Sequence, residues 1–381
     1  MISRRKFLVG LGSVAAVTGI SAVSTMPITT LFNGKTQWLV SAASDKEGNF
    51  FVAAFDLSGQ LIKKVTLPAR GHEVIAIKSK PGHALVFARR PGDYVLEVDF
   101  TRGVVVQEFK VAPENRFYGH GILVDNDNVL VTTENDYQAG RGLIVLRDSK
   151  TQQVLEKYDS GGIGPHQIAL MPSTQGKQGN QIVIANGGIQ THPEQARKKL
   201  NLATMKPNLA YMDLGSGQVV DKFELDNHHL SIRHLDVSDK GKVIAGLQYQ
   251  GASTDEVPLA ISHHGEEKLQ FLKANTNTWR SMKQYTASVC INSKQNIIAI
   301  TCPKAGLLTY WQLDSNEFIT SSKLKDTAGG AFAGDKFFAS TGRGRVVSQS
   351  KLMTSYQVSA DFDDIRWDNH MTSIEAPNLL G

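Results

Sequence analysis

The stretch that decides the fold is His72-Glu73-Val74-Ile75-Ala76-Ile77, then Ala84-Leu85-Val86-Phe87-Ala88, Tyr94-Val95-Leu96-Glu97-Val98-Asp99 and Val104-Val105-Val106-Gln107-Glu108-Phe109. These short apolar runs are rich in β-branched and aromatic residues, and Pro81-Gly82, Arg90-Pro91-Gly92 and Thr101-Arg102-Gly103 separate them. Runs of that length between turn-forming residues read as strands. The third run and its turn recur as Phe55-Asp56-Leu57-Ser58-Gly59, Val145-Leu146-Arg147-Asp148, Met212-Asp213-Leu214-Gly215-Ser216-Gly217 and Trp311-Gln312-Leu313-Asp314. Four strands repeating at about forty residues are the signature of a β-propeller.

Working outward gives an all-β, seven-bladed propeller. Blades begin near residues 72, 120, 166, 233, 287 and 329, and a seventh is split. The first blade shows three strands, at 38–43, 50–57 and 61–67, without an innermost one. Asn369-His370-Met371-Thr372-Ser373-Ile374 lies beyond the last strand of the seventh blade. It supplies the missing strand and closes the ring, which removes the exposed edges of an open stack.

Five histidines recur near blade starts: His72, His120, His166, His234 and His370. In a propeller these positions converge at one mouth of the central channel. Imidazole nitrogens bind iron, copper and zinc. Loops between second and third strands rim the same mouth, which adds Arg89, Arg90, Glu134, Asn135, Asp136, Asn186, Gln248, Tyr249, Gln250, Thr341 and Arg343. Arg366, Trp367 and Asp368 precede the last histidine. Glu134 is the candidate carboxylate ligand beside the five histidines, and a carboxylate suits iron. Arg89, Arg90, Asn135, Asn186, Gln248 and Arg343 are the candidate ligand-binding residues, arginine being suited to carboxylate or phosphate.

Blades six and seven carry Ala287-Ser288 and Gly329-Gly330 where the others carry histidine. A ring open on that side is therefore expected, with His72, His120 and His166 as the first ligand trio. The competing reading is structural: Gly-His at a blade start also occurs in WD-type repeats, where it bonds within the blade. No Trp-Asp dipeptide ends the third strands here. His83 falls on the opposite face, and the pairs His228-His229 and His263-His264 fall in loops.

The interval from His166 to His234 is longer than the two before it, and the excess lies mainly at 187–208. Thr191-His192-Pro193-Glu194 through Lys198-Lys199-Leu200 reads as a short capped helix. As an insertion between second and third strands, it is expected to cover the histidine face.

Ser3-Arg4-Arg5-Lys6-Phe7-Leu8 resembles a twin-arginine export signature, and an uncharged apolar stretch follows at 9–23. That stretch is shorter than the roughly twenty residues a membrane span needs. Residues 1–30 are read as a signal peptide, 31–381 as the propeller, and the protein as periplasmic with no stable span after cleavage. Net charge is +5, of which Arg4, Arg5 and Lys6 supply +3, leaving +2. That gives no electrostatic case for nucleic acid. If the turn between Cys290 and Cys302 centres near Lys294-Gln295, Cys290 faces residue 299, so two free thiols are expected. No G-x-S-x-G elbow, phosphate-binding glycine loop, H-E-x-x-H or C-x-x-C-H is present.

Tyr118-Gly119-His120-Gly121, Gly164-Pro165-His166-Gln167, Ala185-Asn186-Gly187-Gly188-Ile189 with Thr191-His192-Pro193-Glu194, and Ser231-Ile232-Arg233-His234-Leu235 carry a resemblance. Together with the leader, they resemble a bacterial family, the domain of unknown function fifteen-thirteen. The resemblance covers nearly the whole mature chain. It implies an exported, propeller-like protein encoded near imelysin-type periplasmic iron-uptake components, which would be its partners. It transfers no functional residue, and among metals it favours iron over copper. Three readings stay open: a protein binding a metal or metal-linked small ligand, a metal-dependent oxidoreductase or lactonase-like hydrolase, and an interaction platform without metal.

Overall fold

A computed structural model describes residues 36–173, 180–195, 198–350 and 355–378. Seven antiparallel sheets follow one another along the chain. Blade two is Gly71–Ala76, His83–Ala88, Tyr94–Asp99 and Val104–Lys110. Blade three runs from Asn115–Val124 to Val154–Asp159, and blade four from Pro165–Leu170 to Val219–Glu224. Blades five, six and seven begin with Leu230–Val237, Val289–Asn292 and Thr327–Ala333. Blade one holds Gln37–Ser44, Phe50–Asp56 and Leu61–Thr66, and its innermost strand comes from the carboxyl end. There, Ile374 faces Trp38 and Thr372 faces Val40, while Arg366–Trp367 pairs farther along. The seven-bladed ring closed by the carboxyl-terminal strand is thus present.

Burial explains the composition of each strand. Second and third strands lie between neighbouring blades and are buried on both faces, as in His83–Ala88 and Tyr94–Asp99. Outermost strands such as Val154–Asp159 are mostly exposed. The cores lie between blades: Val52 and Ala54 of blade one pack with Val86, Tyr94 and Leu96 of blade two. Each such buried Val or Leu stabilises by about 1.5–3 kcal/mol.

The innermost strand of each blade has an unpaired edge along the axis. Its backbone groups need partners, and side chains of the preceding blade supply them. Glu73 Oε2 accepts from Gly121 N at 3.0 Å, and Gln167 Oε1 accepts from Leu235 N at 3.0 Å. Asp236 Oδ2 accepts from Ile291 N at 2.7 Å, and Ser288 Oγ accepts from Gly330 N at 3.2 Å.

Cys290 pairs with Ala299, as the turn position requires, and both cysteines are free. The insertion differs from expectation. Its described residues form turns and a 3-10 helix, Leu202–Thr204, instead of a capped helix over 191–200. Asn201 closes the segment as a loop: Gln190 N donates to Asn201 Oδ1 at 2.7 Å, and Asn201 Nδ2 donates to Gly188 O at 2.8 Å. The single α-helix among the described residues is Thr276–Ser281, where Asn275 Oδ1 accepts from Thr278 N. The leader at 1–30 lies outside the described residues. Among the described residues, no helix is long and apolar enough to cross a membrane.

Candidate metal centre

Each of the five histidines sits where an innermost strand breaks register. Gly71 faces Ala88 and Val74 faces Val86, so three steps on one strand match two on its partner. The surplus is a β-bulge, which lets the consecutive residues His72 and Glu73 both turn toward the axis. Equivalent breaks lie between Phe117 and Gly121, between Pro165 and Gln167, and between Ile232 and Leu235. In the closing blade, Trp367 faces Ala43 and Thr372 faces Val40, five steps against three. Gly119 serves the break beside His120: its φ is +103°, and a Cβ there would lie 2.9 Å from His72 Cδ2.

The small residues of blades six and seven make room rather than leaving a gap. A Cβ on Gly329 would lie 2.7 Å from the backbone carbonyl carbon of His370. Ser288 Oγ donates to Asn369 O at 2.5 Å, and Ser41 Oγ donates to His370 O at 2.6 Å. The closing segment therefore leans across the two histidine-free blades. Instead of a ring open on that side, the five imidazoles form a closed cycle. Centroid spacings from His72 to His120, His166, His234, His370 and back to His72 are 4.9, 4.7, 4.7, 4.6 and 4.6 Å.

The cycle is folded, because His120 also lies 4.8 Å from His370 and 5.6 Å from His234. Two trios have ligand nitrogens within 4.8 Å of one another: His72, His120 and His166, and His120, His234 and His370. His120, wholly buried, belongs to both.

Burial lowers the proton affinity of every ring. His72 is pulled down to about 4 and His120 to about 3, and His166, His234 and His370 fall well below the ordinary value. All five are neutral at pH 7, the form that binds metal. Carboxylates stand behind two of them. His72 Nδ1 lies 2.7 Å from Asp368 Oδ1, and His120 Nδ1 lies 3.3 Å from Glu73 Oε1 without hydrogen-bond alignment. A carboxylate behind an imidazole is the usual outer support of a metal ligand. Burial pushes Glu73 up to about 7. Burial would also raise Asp368, but His72, Arg70 and Arg89 hold its carboxyl well below the usual range.

Eleven buried side-chain polar atoms among the described residues lack a hydrogen-bond partner. Five are ring nitrogens of His120, His166, His234 and His370, and two more belong to Arg233. Orphaned atoms are rare in folded proteins and call for an explanation, and their concentration at one place makes this cluster the candidate site.

The predicted rim residues divide. Arg89 Nη1 lies 3.8 Å from Asp368, and Arg90 Nη1 donates to Tyr118 Oη at 2.9 Å. Asn135 is buried, with its Oδ1 unpartnered. Glu134 is engaged elsewhere: Arg147 Nη2 lies 2.6 Å away, Thr132 Oγ1 2.9 Å and Asn115 Nδ2 3.0 Å. Both of its oxygens are thus taken up in a blade-three ion pair, and Glu73 is the carboxylate beside the histidines. Asn186 is tied to Ser160 and Asn208, and Gln248 donates to Thr286 O. Arg343 is exposed and makes no ion pair with a described residue. Of the other histidines, His83 bonds Glu97, and His263 bonds Tyr211. Sequence reasoning missed Glu73 and Arg233, although both adjoin a ring histidine. Two open surface cavities, about 420 and 250 Å³, contain none of the five histidines in their linings.

Fold and site together define a seven-bladed β-propeller with a histidine cluster on its axis. The chain belongs to the family described as Protein of unknown function (DUF1513), which it matches over residues 65–374. Among solved structures it is similar to Kuenenia stuttgartiensis hydrazine synthase, with a TM-score of 0.58 and 11% identity, over 89% of this chain and 98% of that one. It is also similar to the computationally designed Ika8 protein, with a TM-score of 0.52 and 13% identity, over 90% of this chain and 97% of that one. At such identities the likeness is one of fold alone. A comparison with curated proteins found no match.

Proposed function

We propose that this protein is an exported periplasmic metal-binding propeller, holding an iron or copper ion among His72, His120, His166, His234 and His370 and serving periplasmic iron handling. The concentration of unpartnered imidazole nitrogens in one buried cluster carries this reading. Neutral nitrogen donors suit copper and iron alike. The resemblance of Ser3-Arg4-Arg5-Lys6-Phe7-Leu8 to a twin-arginine signature supports export, and the neighbourhood implied by the family resemblance supports iron.

Binding is favoured over hydrolysis because neither nearby carboxylate is free to act as a base. Glu73 accepts from Gly121 N and Gln167 Nε2, and Asp368 is held by His72 and Arg70. A metal-free platform would leave the buried ring nitrogens without partners. The test is elemental analysis of the protein recovered from the periplasmic fraction of its native host. About one iron or copper ion per chain is expected, by analogy with closed histidine sites. Metal-free protein, or protein retained in the cytoplasm, would contradict the reading.

A further inference from the structure

Arg233 precedes His234 in the same register break and is 3% exposed. Its Nε and Nη1 have no hydrogen-bond partner, and among the described residues it makes no ion pair. The groups acting on it are the Arg90 cation and the Tyr118 and Tyr285 phenols. Lys199, carried in by the insertion and bonded to Gln250 Oε1 at 2.5 Å, feels Arg233, Lys304 and Arg90 in turn. Neither acid beside the histidines compensates them: Asp368 is shared by Arg70, Arg89 and His72, and the oxygens of Glu73 accept from Gly121 N and Gln167 Nε2.

A buried guanidinium with unmet donors and only cations and phenols around it lacks a counter-charge, a costly arrangement. Its planar fork matches the oxygens of a carboxylate or phosphate. Arg233 also lies near enough to His120, His166 and His234 to act on their charge. The anion it faces would therefore sit against the proposed metal.

We propose that Arg233, assisted by Arg90 and Lys199, binds an oxyanion, carboxylate or phosphate, so that the ligand of this mouth is an anionic metal complex rather than a bare ion. The metal half of this statement rests on the function proposed above, whereas the oxyanion half rests on Arg233 alone. The insertion then has a chemical role: it brings Lys199 over the anion.

The test is calorimetric titration of the full mature chain, metal-loaded and metal-free, with citrate and with inorganic phosphate at matched ionic strength. The wild type should bind at least one probe, and whichever binds identifies the carboxylate or the phosphate class. Arg233→Met should weaken that binding at least about tenfold, the expected loss for a charge-assisted hydrogen bond. Arg90→Ala, at a less buried position, should weaken it in the same direction and serves if Arg233→Met does not fold. Metal-loaded wild type that binds neither probe, or variants that bind undiminished, would overturn the oxyanion site and leave the metal reading standing. Oxyanion binding that is lost in Arg233→Met, in a protein that takes up no metal, would support the oxyanion site and overturn the metal reading.

Discussion

Removal of residues 369–381 should abolish the cooperative unfolding of the ring. Those residues include Met371, packed in the core between blades seven and one, and Ile374 and Ala376, packed in the core between blades one and two. They also include the strand Thr372–Glu375, whose loss would expose the edge of Gln37–Ser44. Deleting a buried Met or Ile side chain costs about 2–5 kcal/mol. Two such losses plus a broken ladder approach the whole stability of a typical domain, about 5–15 kcal/mol. Circular dichroism melting would show a broad, early transition in the truncated chain. An unchanged midpoint would mean that the ring does not depend on this closure.

His120→Ala should reduce metal affinity more than alanine at any other ring histidine. His120 belongs to both trios, while His72, His166, His234 and His370 each belong to one. Loss of His72 or His166 leaves the trio of His120, His234 and His370 complete. Loss of His120 breaks both. Because removing even an outer support of a metal ligand costs about 10–100-fold in affinity, removing the shared ligand should cost at least about 100-fold. Competition with a chelator of known affinity, read by elemental analysis, would measure this. Thermal melting of the same variants separates loss of the ligand from loss of fold, since His120 is wholly buried. Equal metal loss across the five single variants would contradict the shared-vertex geometry.

The repeat was legible because blade two carries its four strands with clean turns between them, and because the first blade lacks one strand that 369–374 supplies. The five histidines were legible because they recur at one place in the repeat. Their closure into a cycle was not, because it depends on Gly329 and Ser288 yielding space to the His370 segment. Glu73 was hidden for a related reason. Strand alternation places residue 73 on the face opposite His72, and only the bulge between Gly71 and Val74 brings both inward. Local pattern alone makes Glu134 the carboxylate at a strand end facing the mouth. Its true partner, Arg147, is thirteen residues away across a hairpin, a pairing set by register rather than by local pattern. The helix expected at 191–200 followed local capping signals, whereas the segment is shaped by Asn201 bonding back to Gly188 and Gln190.

X-ray absorption on the metal-loaded mature protein would read the ligand shell itself. Nitrogen donors are expected at about 2.0–2.1 Å, the distance of a zinc–imidazole bond and close to that for iron or copper, with outer-shell scattering from at least three imidazole rings. A first shell of sulfur or of oxygen alone would contradict it, as would an imidazole signal that is unchanged in His120→Ala.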